Sequence, residues 1–417
     1  MFLKFPKNFF WGASTASHQV EGNTANNWSE WEKENALSLS NRASEYYSWM
    51  QNKDEIIKKA NKPENYISGK SVEHYDRYKE DIQLMKDLSL NAYRFSIEWS
   101  RIEPQKGNFI ESEILHYKEM IKFMKSHGIT PFVTLWHWTH PIWLEQEGGV
   151  LSRDFAKYFK RYVEKLLTYL GDDVKYWITI NEPDVYSTNS FGTGEWPPGI
   201  KSKLKALQSL TNLANVHNDT YSIIKKSYPS SMVSFAKHNS AIVRGDKGIV
   251  TSIVTKISKM FANDFWLYLT KKHFDYIGLN NYTRTRFIGL KVQNENKKVS
   301  DLGWELYPNS IYQCLIELKK YNVPVIITEN GLADSKDEHR EWYIKEVVKG
   351  MYKAIKEGVD LRGYLHWSLL DNFEWAHGFW PEFGLIHVNR KDQKRTIRKS
   401  AKQYGKIASE NGIEDNE

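Results

Sequence analysis

With 417 residues, 41% of them hydrophobic, and a mean hydropathy of −0.61, the chain can fill one large α/β barrel or two ordinary domains. No apolar run approaches the roughly 18–20 residues of a membrane span, so no membrane partner is expected. The net charge of +7 does not imply a nucleic-acid partner, because Lys and Arg alternate with acidic neighbours, as in KEDIQLMKD and DEHREWYIKEVVK.

The N-terminus, MFLKFPKNFFWGAST, runs straight into strand-like sequence without a basic-then-apolar leader. A single cysteine, Cys314, has no partner for an internal disulfide, so a cytoplasmic setting is expected. Short β-branched or aromatic runs then alternate with longer amphipathic stretches. In order they are FFWGAST (9–15), NAYRFSIEW (91–99), ITPFVTLWH (129–137), YWITINE (176–182), MVSFAKHN (232–239), DYIGLNNY (275–282), VPVIITEN (323–330) and LRGYLHWSL (361–369). Eight such runs predict an α/β fold, a single-domain (β/α)8 TIM barrel over residues 1–417. Among the intervening helices, residues 71–89, 111–128 and 152–171 carry a 3.6-residue apolar stripe, the last two stopping at Gly128 and Gly171. Residues 35–70 read as a long loop after strand one, with room for a helix. Residues 406–417 read as a frayed tail.

Two runs end in a glutamate: Glu182 in YWITINEP (176–183) and Glu329 in VPVIITENG (323–331). Strand C-termini converge on one face of a barrel, and strands four and seven oppose each other across its mouth. A retaining glycosidase needs such a pair, about 5–5.5 Å apart, one to protonate the leaving oxygen and one to attack the sugar carbon. Other strand ends bring Gln19 and Glu21, Arg94, His137 and Trp138, Asn181, Asn280 and Tyr282, and Trp367 with the run Asp371 to Trp375 towards the same space.

The chain resembles the family 1 glycoside hydrolases, retaining enzymes of β-glucosidase and β-galactosidase type. The resemblance rests on FFWGASTASHQVEG (9–22), residues 75–102, TLWHW (134–138), TINEP (179–183), DYIGLNNY (275–282), GWELYP (303–308), PVIITENG (324–331), GYLHWSLLDNFEW (363–375) and FGL (383–385). It implies Glu182 as acid/base and Glu329 as nucleophile. Arg94 and Tyr282 would contact Glu329 and lower its pKa, while burial and the second carboxylate would raise that of Glu182. Asn181 would grip the sugar 2-hydroxyl, and Asn280 belongs to the same supporting group. Gln19, His137, Glu374 and Trp375 would bind hydroxyls, Trp138 would belong to the sugar pocket, Trp367 would floor the ring, and Trp304 would face the aglycone. Relatives that cleave 6-phosphorylated sugars carry a small hydroxyl residue in place of Glu374, so an unphosphorylated substrate is expected.

The resemblance implies exo-acting cleavage of terminal β-D-glucosyl or galactosyl residues from short oligosaccharides or aryl and alkyl glycosides, with no cofactor and no metal. A metal-dependent barrel hydrolase fits poorly, because His137 and His140 are the only local ligand pair. The alternatives are a catalytically silent carbohydrate-binding barrel and a 6-phospho-β-glycosidase. Departures from the usual family text include Asn281 for tyrosine, Thr139-His140 for aspartate-leucine, Val150 for tryptophan and Glu382 for a frequent arginine.

Overall fold

The computed structural model describes residues 1–271 and 273–415. Eight parallel strands close a barrel in sequence order: Phe10–Ser14, Ala92–Ser96, Thr130–Trp136, Tyr176–Asn181, Met232–His238, Ile277–Asn280, Val325–Asn330 and Leu361–Trp367. Each falls inside one of the eight expected runs. Nearly every residue in these strands is buried, since a parallel barrel is covered by helices outside and filled by side chains within. Phe132, Ile178, Tyr276, Ile326 and Leu365 form the interior plug. The larger core lies between strands and helices, and the three expected helices appear as His74–Asp87, Glu111–Ser126 and Phe155–Leu170.

The two glycine stops work differently. Gly128 takes the left-handed conformation (φ 74°) with open space where a Cβ would be, as a helix stop should. Gly171 stays helical at φ −55°. Its role is spatial, because a Cβ there would lie 2.0 Å from the Tyr228 ring.

The expected loop over 35–70 is largely helical. Residues Asn27–Tyr46 and Lys53–Ala60 are α-helices, and Pro63–Tyr66 is a 3-10 turn. Asn26 starts the first through a reciprocal capping box with Ser29. Buried Glu32 then ties that helix down by accepting from His18 (2.7 Å) and from the Ser68 amide (2.8 Å).

The expected frayed tail is also ordered as far as residue 415; 416 and 417 lie outside the described residues. Helix Lys399–Glu410 ends at Asn411 in the left-handed conformation, and Gly412–Glu414 pairs antiparallel with Phe2–Lys4. Asn411 explains the order. Its Oδ1 accepts from buried Trp11 Nε1 at 2.9 Å, while its Nδ2 donates to the Phe5 carbonyl at 3.0 Å. Asn411→Ala leaves an indole N–H buried without a partner and is expected to cost about 1–3 kcal/mol. A lower urea midpoint with unchanged turnover checks this.

Candidate active site

At the C-terminal end of the barrel, a cavity of about 300 Å³ is lined by nine of the expected residues. Of these nine, Glu182, Glu329, Tyr282, His137 and Glu374 bring polar groups, and Trp138, Trp304, Trp367 and Trp375 bring rings. Arg94, Asn181, Asn280 and Gln19 are not part of that lining but bond to it, at Glu329, His137, Glu182 and Glu374 respectively.

Backbone turns aim several of these side chains. Glu182 has φ 38° and ψ 62°, a left-handed conformation that costs a glutamate roughly 1–2 kcal/mol. Its amide donates to the Ala236 carbonyl at 2.8 Å, and Pro183 opens the next short helix. This kink lifts the carboxyl out of strand four and into the cavity. Trp138 (φ 75°) and Trp375 (φ 48°) are turned in the same way.

Arg94 connects the two sides of the site. Fully buried, it donates to Glu329 Oε1, to the Thr134 hydroxyl at 3.0 Å and, through Nη2, to Asn181 Oδ1 at 2.6 Å. Tyr282 donates its hydroxyl to Glu329 Oε2 at 2.7 Å. Glu182 receives one N–H, from Asn280 Nδ2 at 2.9 Å. A cation and a phenol thus serve one carboxylate, while a neutral amide serves the other.

This asymmetry orders their protonation. Burial raises Glu182 well above the carboxylate range, and the charge of Glu329 raises it further. Burial raises Glu329 as well, against the expectation that it would be lowered. Arg94, Tyr282 and Asn280 pull it back without fully offsetting desolvation. The expected order survives: Glu329 loses its proton first and Glu182 keeps its own.

Asn181 fixes the tautomer of His137. Its Oδ1 already accepts from Arg94 and from Asn280 (3.2 Å), so its Nδ2 donates to His137 Nε2 at 2.9 Å. The ring is held neutral by burial and by the Arg94 charge, and its proton therefore sits on Nδ1. That atom is buried with no protein partner on a cavity-lining residue, ready to donate to a ligand hydroxyl. Gln19 is the complement. Its Nε2 donates to the Phe373 carbonyl at 2.8 Å, leaving Oε1 buried and unpartnered as an acceptor. Trp138 spends its indole N–H on the Asn181 carbonyl at 2.9 Å, so it contributes only a face.

Some strand-end residues point elsewhere. Glu21 accepts from Arg101 at 2.8 Å and Tyr117 at 2.7 Å, which turns it away from the cavity. Asp371 meets His387 at 2.9 Å and Arg398 at 2.6 Å. Arg398 also meets Glu382 at 2.8 Å and occupies the centre of the one acid–histidine cluster with metal-like spacing among the described residues. The departures at Asn281, Thr139 and His140 are structural: they bond to Ser310 (2.9 Å), Glu98 (2.9 Å) and Glu145 (2.6 Å).

Several lining residues were missed by the sequence reading. Trp196 packs 4.6 Å from Trp138, centroid to centroid, and Glu195, His238 and Phe383 also face the cavity. His238 ends strand five and was open to the same argument as His137. Trp196 lies in the Gly- and Pro-rich loop GTGEWPPGI, which carries no periodic signal. Tyr282→Phe removes one donor from Glu329 and should move that carboxyl's titration to higher pH, read by ¹³C NMR of labelled glutamate.

Comparison with known proteins follows the same line. Residues 2–270 and 257–413 match Glycosyl hydrolase family 1. Beta-glucosidase A of Thermotoga maritima is 30% identical, with 99% of each chain aligned, and Beta-glucosidase A of Acetivibrio thermocellus is 31% identical over the same shares. A beta-glycosidase from Pyrococcus horikoshii superposes with a TM-score of 0.87 at 34% identity, covering 100% of this chain and 97% of that one.

Proposed function

Since the chain belongs to glycosyl hydrolase family 1 and is a retaining, exo-acting β-glycosidase of β-glucosidase type, we propose that Glu329 is its nucleophile and Glu182 its acid/base. The observation that carries the assignment is the unequal solvation of the two carboxyls. Glu329 is held by a guanidinium and a phenol, whereas Glu182 has one amide donor and lies beside a negative charge.

In the first step a Glu329 oxygen bonds to the anomeric carbon as the glycosidic C–O bond breaks, and the Glu182 proton passes to the departing oxygen. The ester leaves Glu329 without charge. The repulsion that raised Glu182 disappears, and Glu182 can take a proton from water as the water attacks the same carbon and the ester C–O bond breaks, returning Glu329 as a carboxylate. Two displacements restore the original anomeric configuration. His137 Nδ1–H and Gln19 Oε1 supply a donor and an acceptor for ring hydroxyls, and Trp367 supplies a flat apolar face. Asn181 keeps one Nδ2 proton beyond the bond to His137, and this proton is assigned to the sugar 2-hydroxyl.

Trp304 stands at the mouth, 37% exposed and edge-on to Tyr282 at 5.8 Å, where an aglycone would leave. The substrate class is short β-glucosides or β-galactosides without a 6-phosphate. Glu374 is pushed up to about 8 by burial and then by the charge of Glu329, so it is a neutral carboxyl near pH 7. A neutral Glu374 has little charge with which to repel a phosphate. What supports the preference is the absence of Lys and Arg from the described lining, together with burial that holds His137, His238 and His377 neutral. The buried thiol of Cys314 fits a reducing, cytoplasmic setting.

Product first formed from an aryl β-glucoside should be the β-anomer by ¹H NMR; the α-anomer would refute the double displacement. Glu182→Ala should lose about 10²–10⁴-fold in kcat on alkyl glucosides but far less on dinitrophenyl glucoside, whose leaving group needs no proton. The kcat/KM profile should be bell-shaped. It rises with pH as Glu329 ionises, above the ordinary glutamate value because burial raises it, and falls as Glu182 loses its proton. Only the rising limb should move upward in Tyr282→Phe.

A further inference from the structure

Helix Ile249–Ser258 is built inside out. It buries Thr251 and Thr255 and turns Ile249, Val250, Ile253 and Ile257 to solvent. The row continues through Met260 and Phe261; Ile249 is 79% exposed and Phe261 58%. A helix closing a globular core does the reverse, and exposed apolar patches of this extent mark interaction surfaces.

Specific bonds hold the inverted orientation. Thr251 Oγ1 accepts the Gly289 amide at 2.7 Å, tying the helix to the turn between strands Arg284–Ile288 and Lys291–Val292. That turn adds Leu290, 77% exposed, to the same surface. Further along, Lys237 Nζ donates to the Ala262 carbonyl at 2.7 Å, and Asn263 Nδ2 to that of Ser240 at 2.9 Å. The supports spring from the cavity wall: His238 and Thr283 line the cavity just before the strands Ala241–Arg244 and Arg284–Ile288. The apolar face therefore stands at the catalytic end of the barrel.

Its charges are one-sided. Lys247, Lys256 and Lys291 are exposed and, among the described residues, form no ion pair. The nearby acids are engaged, Asp246 by the Gly248 amide at 2.8 Å, Glu317 by Lys259 and Glu295 by Lys297 at 3.4 Å. In a two-fold contact between two copies, self-complementary by symmetry, these lysines would face each other. Anionic headgroups over an acyl boundary satisfy both the lysines and the isoleucines.

We propose that this face docks the enzyme on an anionic lipid surface, as a peripheral contact that keeps the cavity end of the barrel near the bilayer. No helix of the described residues is long and apolar enough to span a membrane, so the contact is interfacial.

The test is sedimentation of the full-length protein with vesicles of phosphatidylcholine alone or mixed with phosphatidylglycerol. Binding is expected to the mixed vesicles and to fall with added salt. The triple variant Ile253→Ser, Ile257→Ser, Phe261→Ser should lower the partition coefficient at least about tenfold. Lys247→Glu, Lys256→Glu, Lys291→Glu should remove the preference for phosphatidylglycerol. Aryl β-glucoside turnover in solution should stay unchanged in both. No partitioning, or partitioning indifferent to both variants, overturns the proposal. So does a wild-type dimer that the serine variant converts to monomer, which would give the face to a second copy.

Discussion

Arg94 places a permanent positive charge inside the barrel, with no solvent to screen it, and three other strands are arranged to satisfy it. From strand two it reaches Thr134 on strand three, Asn181 on strand four, and both the Thr328 carbonyl and Glu329 on strand seven. An unpaired charge at this depth would be costly, so the ion pair with Glu329 belongs to the fold as well as to the site. The same contact sets the chemistry. Because the guanidinium serves Glu329 directly, one carboxyl ionises and the other stays protonated. Because it also engages Asn181, the His137 tautomer follows from its position, two residues removed. Strand register and proton placement thus share one cation.

Among the described residues, the cavity lining carries no Lys or Arg. Glu182, Glu329, Glu374 and Glu195 contribute carboxyl groups, and desolvation holds its histidines neutral. A neutral sugar meets donors and acceptors without a net field to overcome. The tryptophans keep water away from the carboxyls, sustaining the desolvation that raises Glu182. Trp375 shows the economy of this packing: it lies parallel to His137 at 5.9 Å and to His18 at 5.7 Å, closing the pocket on one side and joining it to the core on the other.

All eight strands could be read from the sequence because a parallel barrel buries both faces, and such strands stand out as unbroken apolar runs. Glu182 and Glu329 could be read because they end those runs. What escaped was whatever depends on distant partners. The helix Asn27–Tyr46 is polar along much of its length and is held by Glu32, which meets its partners only in the folded chain. The tail is held by Asn411 reaching Trp11 and by strand pairing with Phe2–Lys4. Glu21 shares the strand-end position of the site residues, but Arg101 and Tyr117 claim it. The helix Ile249–Ser258 is the sharpest case. Periodicity reveals an apolar stripe but not whether the stripe faces the core or the solvent, and here threonines face in.

Arg398 sits among Asp371, Glu382 and His387, whose ligand atoms lie within 4.8 Å of one another. Many proteins would fill such a nest with a dissolved divalent ion. Here the cation is tethered to the chain, and Glu382, standing where relatives often carry arginine, gives that tether its second acid. The segment after strand eight, which brings Glu374 and Trp375 to the cavity, is thereby anchored by a charge that no chelator can strip and no ion shortage can empty.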